Sequence, residues 1–341
     1  KFRVTDEKGV HKGGPMYYIE KGMGKNWKWL AVIFALLGGL ASFGIGNIAQ
    51  CSEIAGAMKG LFGLDPLVTG IGLAVVAGIV ILGGVQRIGQ VTSYMVPFMA
   101  IFYILAGLAV IVLRITQVPA ALATIITSAF SMEAVGGGVF GYAIILAMRQ
   151  GFARGVFSNE AGLGSAPMAH AASSHSEPGD QAIWGVFEVF IDTIVICTIT
   201  SLAVLASGVW TQEGLSSGQL ALAAFQSVFG NFGAIFVAVT VFLFVFSTII
   251  SAGFFGQIQA EILFGRKFSK VWVYIYPLFI CIACAFSNVT TMYMILDGFL
   301  AVVVILNMIG LVFMCRQVKD LQTEYYNTPG MYYLADKAAK E

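Results

Sequence analysis

Charged residues are scarce in this sequence. Asp, Glu, Lys and Arg make up 11% of the 341 residues, whereas soluble domains carry roughly 25%. Hydrophobic residues account for 58%. This balance excludes an ordinary soluble domain and predicts a membrane protein. The formal net charge is only +1, so the composition gives no reason to expect a nucleic acid as a partner.

Histidine and cysteine are also rare, with three and five residues respectively. Cys281 and Cys284 lie one turn apart in an apolar run without a neighbouring histidine. We therefore expect buried thiols rather than disulfides or a zinc site. His11, His170 and His175 fall in polar segments, where we expect a solvated surface. No nucleophile–base pair or metal-ligand spacing stands out, so we expect neither an enzyme nor a bound cofactor.

Eight apolar segments are long enough to cross a bilayer, which takes about 20 residues in a helix. They lie at 29–57, 66–84, 91–113, 132–150, 182–207, 231–263, 271–287 and 290–314. The sequence thus predicts an all-α polytopic membrane protein, with an N-terminal segment 1–28, a transmembrane domain 29–314 and a C-terminal tail 315–341. The stretch 117–130 is too short to cross and is expected to form an interfacial or re-entrant helix. The polar segment 156–180 predicts a loop or a surface helix.

Basic residues indicate the orientation of the chain. With eight spans, all but two of the 19 Lys and Arg residues fall on the side of residues 1–28. The exceptions are Lys59 and Arg114. Because positive charge accumulates in cytoplasmic loops, both ends of this chain are predicted to be cytoplasmic.

Glycines interrupt the predicted span 132–150. Gly136, Gly137 and Gly138 are consecutive, and Gly141 follows. One interpretation is a broken helix whose freed backbone groups line a binding site, as in many secondary transporters. The other is close packing of two helices at small residues. The glycines alone leave both interpretations open.

Polar residues inside other spans have two interpretations as well. Asn47 and Gln50 are three residues apart and are expected on one helical face, either as substrate contacts or as helix–helix contacts. Glu188 and Asp192, four apart, mark an ion path or a structural network. The candidate ionic partners of these two acids are Arg149 and Arg154.

Three hydroxyls, Ser247, Thr248 and Ser251, lie near the middle of the sixth span. Hydroxyl oxygens at midspan are hard ligands that suit Na⁺. They are equally able to bond back to the carbonyls of their own helix.

Several stretches resemble one known family. HKGGPMYYIEKGMGKNWKWLA at 11–31, ASFGIGNIAQ at 41–50 and AMRQGFARGVFSNEAGLGSAPMAHAA at 147–172 closely resemble the alanine or glycine:cation symporters of bacteria and archaea. The resemblance is clearest from residue 8 to about 265 and looser in the last span, where Asp297, Phe299 and Asn307 match. It implies a fold of five helices plus five in inverted topology, of the amino acid–polyamine–organocation type, with the first and sixth core helices broken.

The resemblance also implies roles for residues. The segment 132–150 would be the sixth core helix, and its glycines would surround a small amino acid. The implied substrate-binding residues are Asn47, Gln50, Gly136, Gly137, Gly138, Phe140, Gly141 and Ile144. The implied sodium-binding residues are Ser247, Thr248 and Ser251. No other metal and no cofactor is implied.

The expected function is therefore sodium-coupled symport of alanine or glycine across the plasma membrane by alternating access. A proton-coupled or exchange transporter of small amino acids on the same fold is the alternative, and a channel is the alternative from another class. The lipid bilayer, the amino acid and Na⁺ are the expected partners. The sequence does not indicate an oligomeric state.

Further expectations concern the polar motif after the glycine-rich span and the first residues of the chain. In RGVFSNEAGLGSAP, Ser158 is expected to cap a following helix, and Arg149, Arg154 and Glu160 are expected in a structural or gating role. The opening KFRVTDEKGVHKGGP resembles the end of the second core helix, so the first two core helices would precede this chain. On that basis we expect this chain alone to transport poorly.

Overall fold

The computed structural model describes residues 1–7, 9–130, 148–149, 151–153, 155–175, 177–212, 217–285, 289–328 and 330–331. These residues form helices and one small hairpin. The strands are β1 (Val4–Thr5) and β2 (His11–Lys12). The α-helices are α1 (Pro15–Tyr18), α2 (Lys28–Phe43), α3 (Gln50–Phe62), α4 (Pro66–Leu82), α5 (Gly84–Leu113), α6 (Val118–Phe130), α7 (Ser165–Ala171), α8 (Pro178–Val189), α9 (Cys197–Ser207), α10 (Ser217–Ala283), α11 (Val289–Phe313) and α12 (Cys315–Asn327).

Short segments of other helix types join several of these elements. The π-helical segments are Ile19–Met23, Gly44–Ala49 and Phe190–Ile196. The 3₁₀ segments are Lys25–Trp27, Ile115–Gln117 and Val209–Thr211. Two of the π segments connect α-helices directly, Gly44–Ala49 between α2 and α3 and Phe190–Ile196 between α8 and α9.

The opening residues form a hairpin where the resemblance implied the end of a helix. Val4 pairs with Lys12 and Thr5 with His11 in antiparallel register. The chain turns at Gly9, whose φ of 77° suits glycine. We call the end of the molecule that contains this hairpin, residues 4–12, the hairpin end.

Helix α4 shows how local sequence sets an element. Asp65 caps it, because its Oδ1 accepts a hydrogen bond from the Leu67 amide at 2.8 Å. Pro66 occupies the first helical position, where its missing N–H costs nothing. The helix has 17 residues and is thus about 25 Å long, slightly less than the hydrocarbon thickness of a bilayer.

Helix α10 is 67 residues long and contains two breaks. Gly230 (φ 60°, ψ −144°) and Gly265 (φ 80°, ψ 175°) leave the helical conformation. The piece between the breaks covers 231–264, which agrees with the predicted span 231–263. The next predicted span, 271–287, begins within the third piece.

The described residues contain four helical stretches long and apolar enough to cross a membrane: Lys25–Gly60, Gly84–Leu113, Pro178–Ser207 and Gln219–Ala283. A bent pair, Asp297–Phe313 with Cys315–Asn327, makes a fifth if it is one span. The chain is therefore a helical, multi-pass membrane protein. The predicted span 132–150 lies outside the described residues except for 148 and 149, so the count of eight stays a prediction. Helix α6 has 13 residues, which matches the short helix predicted at 117–130.

The core lies where α2 and its π-helical extension cross α10. Phe34, Ile249 and Ile250 are fully buried there. The crossing is close: a Cβ placed on Gly46 would lie 2.2 Å from the Cβ of Ala252. Tyr276, in the third piece of α10, is also fully buried, and its hydroxyl lies 3.1 Å from the Ile249 carbonyl and 3.3 Å from the Gly46 carbonyl. This crossing fixes α10 against the π segment that precedes Gln50.

Candidate functional site

A cavity of about 570 Å³ lies between the π segment after α2, helix α10 and the polar loop before α7. Four of the residues predicted for substrate or sodium binding line it: Gln50, Ser247, Thr248 and Ser251. They come from two helices that are far apart in sequence. The crossing of α2 and α10 is what brings them to one cavity.

The three hydroxyls lie on the inner face of α10. Ser247 Oγ donates to the Phe244 carbonyl at 2.7 Å, and Thr248 Oγ1 donates to the same carbonyl at 3.1 Å. These are the bonds to the helix's own backbone that the sequence left open. They use the hydroxyl hydrogen and leave oxygen lone pairs free. The arrangement is thus compatible with a cation held by oxygen atoms.

Asn47 and Gln50 are not brought together. Gln50 lines the cavity, whereas Asn47 is fully buried in the protein beside it. The expectation of one shared face assumed α-helical geometry. Residues Gly44–Ala49 form a π-helix, in which wider turns separate positions three apart. Segments of this type occur frequently at functional sites.

Asn47 lies beside the buried hydroxyl of Tyr276. Its Oδ1 accepts a long hydrogen bond from Cys51 Sγ at 3.2 Å, and its Nδ2 has no hydrogen-bond partner among the described residues. Whether Asn47 contacts a substrate stays a prediction. Cys51 and Cys284 are buried free thiols, as expected.

One wall of the cavity is acidic. Glu160, Glu188 and Asp192 line it, and no Lys or Arg is among the described lining residues. We call these three residues the acidic wall. Asp192 lies in the π segment Phe190–Ile196, and its Oδ2 accepts a hydrogen bond from Ser158 Oγ at 2.7 Å. Ser158 was expected to cap a following helix, but its hydroxyl instead donates to Asp192.

Glu188 has a partner other than the arginines proposed for it. Its Oε2 lies 3.5 Å from His170 Nε2. Gln181 Nε2 lies 2.6 Å from His170 Nδ1; when that amide donates, the imidazole hydrogen is on the side of Glu188. Arg154 lies outside the described residues.

Glu160 sits in a tightly folded loop. Its φ is 50°, the one positive φ of a non-glycine residue in the part of the chain that the structure describes. Gly162 (φ 79°) and Gly164 (φ 82°) follow it. Ser165 Oγ donates to Glu160 Oε2. Burial raises the pKa of Glu160, partly offset by this hydrogen bond, and the nearby charge of Glu188 raises it further.

The same loop is tied to the N-terminal segment and to the last long helix. Asn307 Nδ2 donates to the Gly162 carbonyl at 2.8 Å, and Tyr18 donates to Asn307 Oδ1. A Cβ on Gly164 would lie 2.3 Å from Pro15 Cγ, so only glycine fits there. The loop is therefore held from two sides next to the cavity.

Other predicted residues are not placed by the structure. Gly136, Gly137, Gly138, Phe140, Gly141 and Ile144 lie outside the described residues. Conversely, sequence reasoning missed Gln259, which lines the cavity on the same helix as the hydroxyls. The spacing 247, 251, 255, 259 places these residues on one face of α10 and was a signal for it.

The sequence as a whole is similar to that of a known protein family. The family model described as the sodium:alanine symporter family matches residues 1–332. The uncharacterized transporter YflA of Bacillus subtilis is 41% identical over 98% of this chain and 70% of that protein. Sodium/alanine symporter AgcS of Methanococcus maripaludis is 39% identical over 96% of this chain and 72% of that protein. The probable sodium/glutamine symporter GlnT of Bacillus subtilis is 35% identical over 95% of this chain and 66% of that protein.

Proposed function

The chain belongs to the sodium:alanine symporter family and is thus a transporter rather than an enzyme, and from this premise we propose that it carries alanine or glycine into the cell together with Na⁺. Transport follows alternating access on the inverted-repeat fold, with 132–150 as the broken sixth core helix. Na⁺ is the coupling ion, and no cofactor takes part.

The observation that carries this proposal is the cavity that Gln50 shares with Ser247, Thr248 and Ser251. It offers an amide for a zwitterionic substrate and hydroxyl oxygens for a hard cation. The acidic wall gives the cavity a negative potential that attracts Na⁺ and the ammonium group of an amino acid. The glycines at 136–138 and 141 would complete the site and limit the side chain to a small one.

The orientation follows from the basic residues, so we assign the hairpin end to the cytoplasm. The loop that carries Glu160, and the Tyr18–Asn307–Gly162 hydrogen bonds that hold it, then lie at the cytoplasmic side of the cavity. In this assignment the loop is a gate between the substrate and the cell interior.

The test is uptake of radiolabelled alanine and glycine into proteoliposomes under an inward Na⁺ gradient, with choline replacing Na⁺ in the control. The chain is compared with a version extended to the start codon of its gene. Uptake that needs Na⁺ in either protein supports the proposal. Uptake that persists in choline and follows a proton gradient would favour the proton-coupled alternative. Absence of uptake of both amino acids in both proteins would overturn the proposal.

A further inference from the structure

Gln259 is a buried amide with an unused oxygen. Its exposed fraction is 2%, and its Oε1 has no hydrogen-bond partner among the described residues. The side chain is confined by α2, because a Cβ on Gly38 would lie 2.3 Å from Gln259 Nε2. A buried carbonyl oxygen without a partner costs about 1–3 kcal/mol. A ligand that supplies positive charge would remove this cost.

Gln259 lies on the face of α10 that lines the cavity. Ser247, Ser251 and Gln259 all line the cavity and are spaced by multiples of four residues. From Ser251 to Gln259 the helix rises about 12 Å. Oxygen ligands of a hard cation lie roughly 2.5 Å from the ion. A cation at the hydroxyls is therefore too far away to reach Gln259, and an ion at Gln259 would occupy a separate position.

Charge favours a cation at this second position. The cavity that Gln259 lines is the one bounded by the acidic wall. Asp192 accepts a hydrogen bond from Ser158, and Glu188 faces His170. Glu160 accepts a hydrogen bond from the Ser165 hydroxyl. Among the described lining residues, no Lys or Arg neutralises it.

We propose that the hairpin end of the cavity holds a second Na⁺ position, with Gln259 Oε1 as a ligand and Glu160 as its negative charge. The inference rests on the proposed function and deepens it: an ion leaving the hydroxyls toward the hairpin end meets this position next. The described residues contain no group of three or more His, Cys, Asp or Glu arranged for a metal. One carboxylate with neutral oxygens suits weak, reversible binding of Na⁺, which a release path requires.

The test measures binding of ²²Na⁺ to the purified, detergent-solubilised protein without amino acid, so that it does not depend on transport. Gln259→Leu removes the oxygen while keeping the size, and Glu160→Gln removes the charge while keeping an acceptor for Ser165. Gln257→Leu is the matched control, since Gln257 lies on the same helix and its Nε2 contacts the Ser269 carbonyl at 3.4 Å instead.

We expect Gln259→Leu and Glu160→Gln to lose one of the bound Na⁺ ions or to raise its half-saturating concentration about tenfold, a difference of 1.4 kcal/mol. Gln257→Leu should bind Na⁺ as the wild type does. The double variant should be no worse than either single one, because both residues serve one position. Retained binding at the remaining site shows that the variants are folded.

Equal Na⁺ binding by wild type, Gln259→Leu and Gln257→Leu would overturn the inference and leave water as the partner of Oε1. Absence of saturable Na⁺ binding in the wild type would overturn it as well. Loss of one ion in Gln259→Leu, in a protein that fails to take up alanine or glycine, would support this inference and reject the proposed substrate.

Discussion

Lys12 Nζ lies 2.7 Å from Glu261 Oε2 and 3.3 Å from Asp6 Oδ2. The side chains of Lys12 and Glu261 are each 16% exposed. This ion pair fastens the N-terminal hairpin to α10 only two residues beyond Gln259. Arg266 adds a contact with Glu7 at 2.6 Å. The hairpin is thus anchored to the helix that carries Ser247, Thr248 and Ser251.

Lys12→Met should lower the stability of the protein. It leaves the Glu261 carboxylate partly buried without its close cation, which costs about 1–3 kcal/mol and lowers Tm by several degrees. Thermal unfolding in detergent measures the effect. Lys28→Met is the control, because the Lys28–Glu20 pair is 3.4 Å apart and far more exposed, at 66% and 38%. Equal Tm values for the two variants would contradict the importance of the buried pair.

The helical, multi-pass character could be predicted because bilayer crossing requires long apolar runs, and the piece of α10 at 231–264 coincides with the predicted span 231–263. The π segment Gly44–Ala49 could not be predicted, because hydropathy carries no information about which backbone hydrogen bonds form. The separation of Asn47 from Gln50 follows from those hydrogen bonds. The Lys12–Glu261 pair joins distant parts of the chain, and no local pattern marks such a contact.

Glu160 should make stability depend on pH. Burial raises its pKa above the ordinary 4.5, and Ser165 offsets part of this, while Glu188 adds to it. The folded state then holds a proton that the unfolded chain has released, so stability falls as pH rises from about 4.5 through the folded pKa. Glu188, Asp192 and His170 face the same cavity.

Glu160→Gln lacks this titration. Measured in Na⁺-free choline buffer, its Tm relative to wild type should increase as the pH is raised from 4.5 to 7.5. Glu20→Gln, whose side chain is 38% exposed, serves as the control. A Tm difference between Glu160→Gln and wild type that stays constant over this range would show that Glu160 does not titrate as its burial predicts.

Gly46→Ala should separate α2 from α10. The added Cβ would lie 2.2 Å from Ala252 Cβ, so the helices must move apart, at a cost of about 1–3 kcal/mol, and alanine uptake should fall. Gly56→Ala is the matched control in the neighbouring helix α3, where a Cβ meets nothing within 4 Å. There alanine should raise stability by about 0.5–1 kcal/mol. A loss of the same size in both variants would argue against close packing at Gly46.

Asn307→Leu should impair transport through the loop that carries Glu160. It removes both the hydrogen bond to the Gly162 carbonyl and the acceptor of Tyr18, which together are worth about 1–3 kcal/mol. We expect the maximal rate of Na⁺-driven alanine uptake to fall about fivefold or more. Tyr18→Phe, which removes one of the two bonds, should have the smaller effect, and Tyr17→Phe should have none. An unchanged rate in Asn307→Leu would exclude a role for this contact in gating.

Thr248→Val tests the hydroxyls as sodium ligands without changing shape. The variant keeps the volume of the side chain but removes an oxygen that faces the cavity, so the half-saturating Na⁺ concentration for alanine uptake should rise about tenfold. Thr240→Val is the matched control: Thr240 lies on the same helix and makes the same kind of bond, to the Phe236 carbonyl at 2.8 Å, but is buried away from the cavity. Both variants lose a bond to the backbone, and only Thr248 loses a potential ligand. A similar Na⁺ dependence in the two variants would mean that Thr248 serves its helix alone, and would shift the sodium position toward Ser247 and Ser251.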